Sequence, residues 1–325
     1  MKARAGLALM TSSLAAVGTL ALATPAHASL TTHCVGTAGA VTVPGDLYVP
    51  AGEACALEGT TVTGNVVVAE GADLLIEDGT FDGSVTVEGN GFFEAVGTSI
   101  SGDVSTTDAY GVDLTSSQLG GSVVLTGEAN AKYPTYGFVF DSTVAGIDST
   151  AAELLVESSS IEGSVTSEAS LYADLVDSVV NGDLSVTGAE LGSVFCAGEV
   201  YGDAVFDGNA DVVQLGGTGP VLNCEGTSFW GGNVTVSGTT GDVVVAENII
   251  RGDLAGEGND TTPVVSNNRV RGTVSGQFAA QDPAVERKVM PLRVSLDRTA
   301  ELENRSEERR TEAEEAAIAA GPANL

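Results

Sequence analysis

Val62-Thr63-Gly64-Asn65-Val66 is answered nineteen residues later by Phe81-Asp82-Gly83-Ser84-Val85, and then by Ile100-Ser101-Gly102-Asp103-Val104. The pattern is apolar, any residue, Gly, small polar, apolar. It continues through Leu119-Gly120-Gly121-Ser122-Val123, Ile161-Glu162-Gly163-Ser164-Val165 and Val180-Asn181-Gly182-Asp183-Leu184. It ends with Ile250-Arg251-Gly252-Asp253-Leu254 and Val270-Arg271-Gly272-Thr273-Val274. The anchor glycines at 45, 64, 83, 102 and 121 are 19 apart, as are 163 and 182, and those at 232, 252 and 272 are 20 apart. Self-similarity at such a period marks a solenoid.

Inside each unit the apolar period is two, as in Val66 and Val68, Leu74 and Ile76, or Val243 and Val245. Short alternating runs bounded by Gly are strands. A unit this short cannot bury its own apolar face, but stacked units can, with each strand pairing in parallel one turn away. The sequence therefore predicts an all-β fold, a single-chain parallel β-helix with coils of about 19–20 residues over 29–276. Each anchor glycine is expected at a corner that needs positive φ or close chain approach. The residue four before each anchor is mostly small and polar (Thr60, Thr98, Ser117, Ser142, Ser159, Ser178, Ser228, Asn248, Asn268). It predicts an internal hydrogen-bonded ladder rather than an outward face for ice or a repeating ligand.

Four cysteines allow three pairings. Cys34 and Cys55 lie eleven and nine residues before their anchors, and Cys196 and Cys224 lie six and eight before theirs. Each pair shares nearly one phase, one turn apart. Strands ~4.8 Å apart suit disulfide Cα separations of ~4.4–6.8 Å. The register predicts Cys34–Cys55 and Cys196–Cys224. A zinc site lacks CxxC spacing.

Residues 1–28 read as a signal peptide: Lys2 and Arg4, an apolar stretch Leu7 to Leu22, then Ala26-His27-Ala28 before Ser29. Cleavage near Ala28 implies a secreted, extracellular product. The Gly-[Asn/Asp/Ser]-[Val/Leu] anchors, alternating strands and leader resemble secreted bacterial parallel β-helix proteins over about residues 34–276. The architecture is similar to pectate-lyase-like right-handed β-helices, and the resemblance implies a right-handed coil. The short turns also resemble bacterial polymer-forming solenoids. It implies no particular activity, because such folds carry lyases, hydrolases, adhesins and structural rods.

The 325 residues include 44 acidic and 13 basic residues, a net charge of −31. A nucleic-acid partner needs a basic face, and an anionic lipid surface repels this one. Between Ser29 and Ile250 there are 31 acidic residues and one basic residue, Lys132. A polyanion lyase needs cations beside the substrate carboxylate, so the balance argues against it. Glycoside hydrolysis needs two carboxylates ~5–10 Å apart. Asp174 with Asp177, Glu153 with Glu157, and Asp183 with Asp203 are the pairs to test. A Ser-His-Asp triad lacks its histidine, since His33 alone follows the leader. Arg251-Gly252-Asp253 is explained by the repeat.

The steps Gly121 to Gly146 and Gly202 to Gly232 are long, 25 and 30 residues. Both insertions are expected after the post-anchor strand, on one side of the coil. The first carries Lys132, Tyr133 and Tyr136, the candidate ligand-binding residues, whose rings are suited to stacking on sugars. Residues 277–325 are polar, partly helical or disordered, with little apolar face; a mobile tail or loosely docked cap is expected. No catalytic set, metal site or cofactor is predicted. The functional expectation is a non-enzymatic structural or binding module at the cell exterior. Its partners would be cell-wall or extracellular polysaccharide, with end-to-end self-association. The alternative is a carbohydrate-active enzyme, a hydrolase or lyase, with a carboxylate site between the two insertions.

Overall fold

The computed structural model describes residues 30–128, 133–279 and 298–325. The leader, Lys132 and the basic stretch around Arg287, Lys288 and Arg293 lie outside the described residues. The rest is a parallel β-solenoid of about 13 turns, followed by one helix. A typical turn has three strands: Thr61–Val62 before the anchor, Val66–Val68 after it, then Asp73–Glu77. Each pairs in parallel with its counterpart 19 residues on, as Val66↔Val85, Asp73↔Phe92 and Thr61↔Thr80 show. These third strands, mostly five residues long, form one 12-stranded sheet, the five-residue-strand face. The other two strips join into a 23-stranded sheet, because Gln118–Thr126 and Thr143–Thr150 run through the corner between them.

Period-two alternation decides what faces inward. Leu47, Val66, Val85, Val104 and Val123 stack in register, each fully buried. Aliphatic columns of this kind fill the narrow lumen, with rings such as Phe81 and Phe93 taking single places among them. Trp230 is the largest buried side chain, packed on Phe195 at a centroid distance of 4.5 Å.

The polar column is an internal ladder, as the spacing predicts. Ser117 Oγ accepts the Thr98 N–H at 3.1 Å and donates to the Thr115 carbonyl at 2.9 Å. Ser142, Ser159 and Ser178 repeat this one turn after another. All are buried, so the hydroxyls satisfy main-chain groups that water cannot reach.

The anchor glycines meet the expectation by close chain approach rather than by positive φ. Of the series quoted above, only Gly45 has positive φ. The others are required by close approach: a Cβ at Gly182 would sit 2.7 Å from the Gly163 carbonyl oxygen of the turn below. Left-handed backbone occurs instead five residues before the anchor, at Gly59, Asp78, Gly97, Ser116, Asp141, Ser158 and Asp177. The residue after the anchor forms a second, outer ladder. Asp183 Oδ1 accepts the Asp203 N–H at 2.8 Å, and Asp203 Oδ1 accepts the Asn233 N–H at 2.7 Å. That is why Asp, Asn, Ser or Thr recurs there.

The disulfides are Cys34–Cys55 and Cys196–Cys224, with Cα separations of 5.6 and 5.5 Å. They suit an oxidising environment. The expected placement of the insertions needs correction. Residues 127–135 follow a post-anchor strand, but residues 216–227 follow the third strand of their turn, Val212–Leu215. The insertions thus leave from opposite edges of the five-residue-strand face. Gln214, fully buried, organises the second: its amide NH2 donates to Gly217 and Leu222 carbonyls, and its oxygen accepts the Val221 and Leu222 N–H groups.

Candidate functional site

The outer side of the five-residue-strand face is covered by helix α1 (Arg298–Ala320). Its 23 residues span ~34 Å at ~1.5 Å each. From the strand Tyr172–Val176 back to Gly36–Ala38 there are seven strand spacings, also ~34 Å at ~4.8 Å each. The helix therefore lies along the solenoid axis, one side chain meeting each rung or two.

Its docking face is built from arginine. Arg298 Nη1 reaches both oxygens of Asp174 at 3.2 and 3.1 Å, and Nη2 donates to the Leu191 carbonyl. Arg305 Nη1 lies 2.9 Å from each Glu153 oxygen, and Nη2 donates to the Pro134 carbonyl in the first insertion. Arg309 Nε donates to Asp73 Oδ1 at 2.8 Å. These guanidiniums also stack on rings: Arg298 on Tyr172 at 5.1 Å, Arg305 on Tyr136 at 5.4 Å, and Arg309 on Tyr110 at 5.1 Å. Between them Leu302, Ala313 and the Ser306 hydroxyl are buried, and Ser306 donates to Asp113 Oδ2 at 2.6 Å. Leu302 packs in a cluster with Leu155, Phe138, Phe92 and Tyr136.

Within the 277–325 segment, Arg298–Ala320 is helical as the sequence allows, but it is held by ion pairs rather than forming a mobile tail or loosely docked cap. Its low apolar content misled because guanidiniums stacked on tyrosine do the packing that leucine does elsewhere. The signal was present in the spacing: Arg298, Leu302, Arg305 and Arg309 fall on one helical face, at i, i+4, i+7 and i+11.

The sequence-derived site residues scatter. Tyr133 is exposed, at 65%. Tyr136 is fully buried at the first position of the strand Tyr136–Phe140, beneath Arg305, and the bare Gly111 in the next rung makes room for its ring. It is therefore not displayed on a projecting loop, and burial pushes its phenol pKa up. Lys132 lies outside the described residues. The carboxylate pairs also separate. Glu153 and Asp174 are paired to α1, Glu157 is half-buried on the strand edge, and Asp177 holds a left-handed corner. Asp183 and Asp203 belong to the outer ladder. Among the described residues no group of three or more His, Cys, Asp or Glu is arranged to hold a metal ion.

Burial raises the pKa of Asp73, Asp113, Glu153 and Asp174, with the facing arginines opposing it at Asp73, Glu153 and Asp174. Glu94 is the least compensated. Desolvation, with Asp113 next in its column, pushes it to about 7, and Arg310 is 3.8 Å away. It borders an open groove of about 390 Å³ beside Glu58, Glu77 and Glu314. A carboxylate whose folded pKa is raised binds more protons folded than unfolded, so stability falls as pH rises between ~4.3 and 7. Glu94→Gln is expected to match the parent at about pH 3, below both pKa values. At pH 8 it should exceed it by on the order of 1–2 kcal/mol, solvent contact allowed for. Denaturant unfolding at the two pH values reads this, and an equal gain at both would contradict it.

Comparison with protein-family models, curated proteins and solved structures finds no match.

Proposed function

We propose that the chain is a secreted, non-enzymatic β-solenoid that acts as a structural or binding module outside the cell. Supporting this, five acidic side chains along the stack already have structural partners. Asp73, Glu153 and Asp174 hold α1, and Asp183 and Asp203 bond successive turns. A general acid or nucleophile must reach a substrate, and these side chains reach arginine or backbone instead. Two disulfides across adjacent turns suit an extracellular life. The expected partner is cell-wall or extracellular polysaccharide of neutral charge, since a polyanion meets a net charge of −31.

The test incubates the purified chain with neutral and acidic polysaccharides, and scores co-sedimentation, release of reducing ends and formation of unsaturated products. Retention on a neutral polymer without turnover is expected. Reproducible turnover that disappears on changing one or two carboxylates would establish the enzyme instead.

A further inference from the structure

The chain's last residues close the first rung. After Gly321, which has a φ of 87°, the chain turns and bridges the strand Gly36–Ala38 in parallel, Pro322 opposite Thr37. The Thr37 N–H donates to the Gly321 carbonyl at 2.9 Å, and the Ala323 N–H donates to the Thr37 carbonyl at 2.8 Å. Ala323 and Leu325 pack on the solenoid core. Gly36 permits the approach, because a Cβ there would collide with the Gly321 carbonyl. In a parallel bridge the polar groups of the central residue point away from the partner strand. That residue is proline, so the outward side of the cap lacks a donor just where another strand would attach.

The opposite end is built differently. Val264–Ser266 is the last strand of the same sheet; it pairs with Val244–Ala246 on one side, and no described strand lies on the other. Every strand of this sheet runs the same way. The last rung of one molecule therefore presents the edge that continues the first rung of another by simple translation. Such a contact is head-to-tail and does not close on itself, so it grows. Among the described residues no strand pairs with this edge, and an open strand edge is an association site.

We infer that Gly321–Leu325 is an intramolecular cap, and that the edge it covers, Gly36–Ala38, docks the Val264–Ser266 edge of a second copy once uncovered. The inference rests on the strand geometry and is independent of what the solenoid binds.

The test compares the full chain with a chain ending at Ala320, by light scattering at physiological salt over a wide concentration range. The full chain should stay monomeric, and the shortened one should grow in mass with concentration beyond a dimer. Ala323→Pro removes only the N–H that bonds Thr37 and leaves α1 intact, so it should also associate if truncation disturbs the fold. Adding Val265→Pro to either variant, with its β-spectrum retained, should return it to monomer. The inference is overturned if both uncapped variants remain monomeric with native spectra. It is equally overturned if the full chain associates as strongly, or if Val265→Pro leaves association unchanged.

Discussion

Gly182→Val should lower the melting temperature by ~6–12 °C, the equivalent of about 3 kcal/mol for a domain of this size. The new Cβ would lie 2.7 Å from the Gly163 carbonyl oxygen and 2.5 Å from the Ser164 hydroxyl. Neither neighbour can give way cheaply. The carbonyl belongs to a rung held on both sides by strand pairing, and the Ser164 Oγ accepts the Asp183 N–H. Gly182 does not occupy the left-handed region, so the cost is steric contact and not backbone strain. The neighbouring Asn181, an exposed side chain, is the control: Asn181→Val should move the melt little. Equal melting of the two variants would mean that the stack can open at a corner, contrary to the close approach described here.

Arg305→Ala should release α1 while leaving the solenoid folded. Glu153 is 4% exposed and both its oxygens face Arg305. Removing one partner of a buried pair strands the other charge, at a cost of ~3–5 kcal/mol. Amide hydrogen exchange over Arg298–Ala320 should then accelerate by ~100-fold or more, with the five-residue strands still protected. The released helix has few apolar groups to hold it, so far-UV helix signal should fall too. Changing both partners, Arg305→Met with Glu153→Gln, removes the stranded charge and should recover much of the protection. Unchanged exchange in the single variant would show that Leu302, Ser306 and the other arginines suffice.

Much of the fold was legible because it repeats. A glycine clash, a hydroxyl ladder and an aliphatic column each recur every nineteen or twenty residues, so a one-dimensional register carries the three-dimensional neighbours. Cys34–Cys55 and Cys196–Cys224 could be paired on phase alone for the same reason. Of the two reasons expected for the anchor glycines, close approach is the one that applies; the left-handed corner lies five residues earlier, where Asp78, Ser116, Asp177 and even Ala197 adopt it. The second insertion was misplaced because a longer step between anchors does not say which corner holds the excess. The site under α1 was least legible: Arg305 meets Glu153 across 152 residues, and no period links them.

The amino-acid order by itself thus determined the solenoid, its rung length, its inward columns and its disulfides, since all depend on contacts between residues one turn apart. Tertiary structure decided what covers the outer face and the first rung. Those contacts join the last 28 residues to the first 191, and their energy comes from desolvated charges whose pairing appears only when the chain is folded.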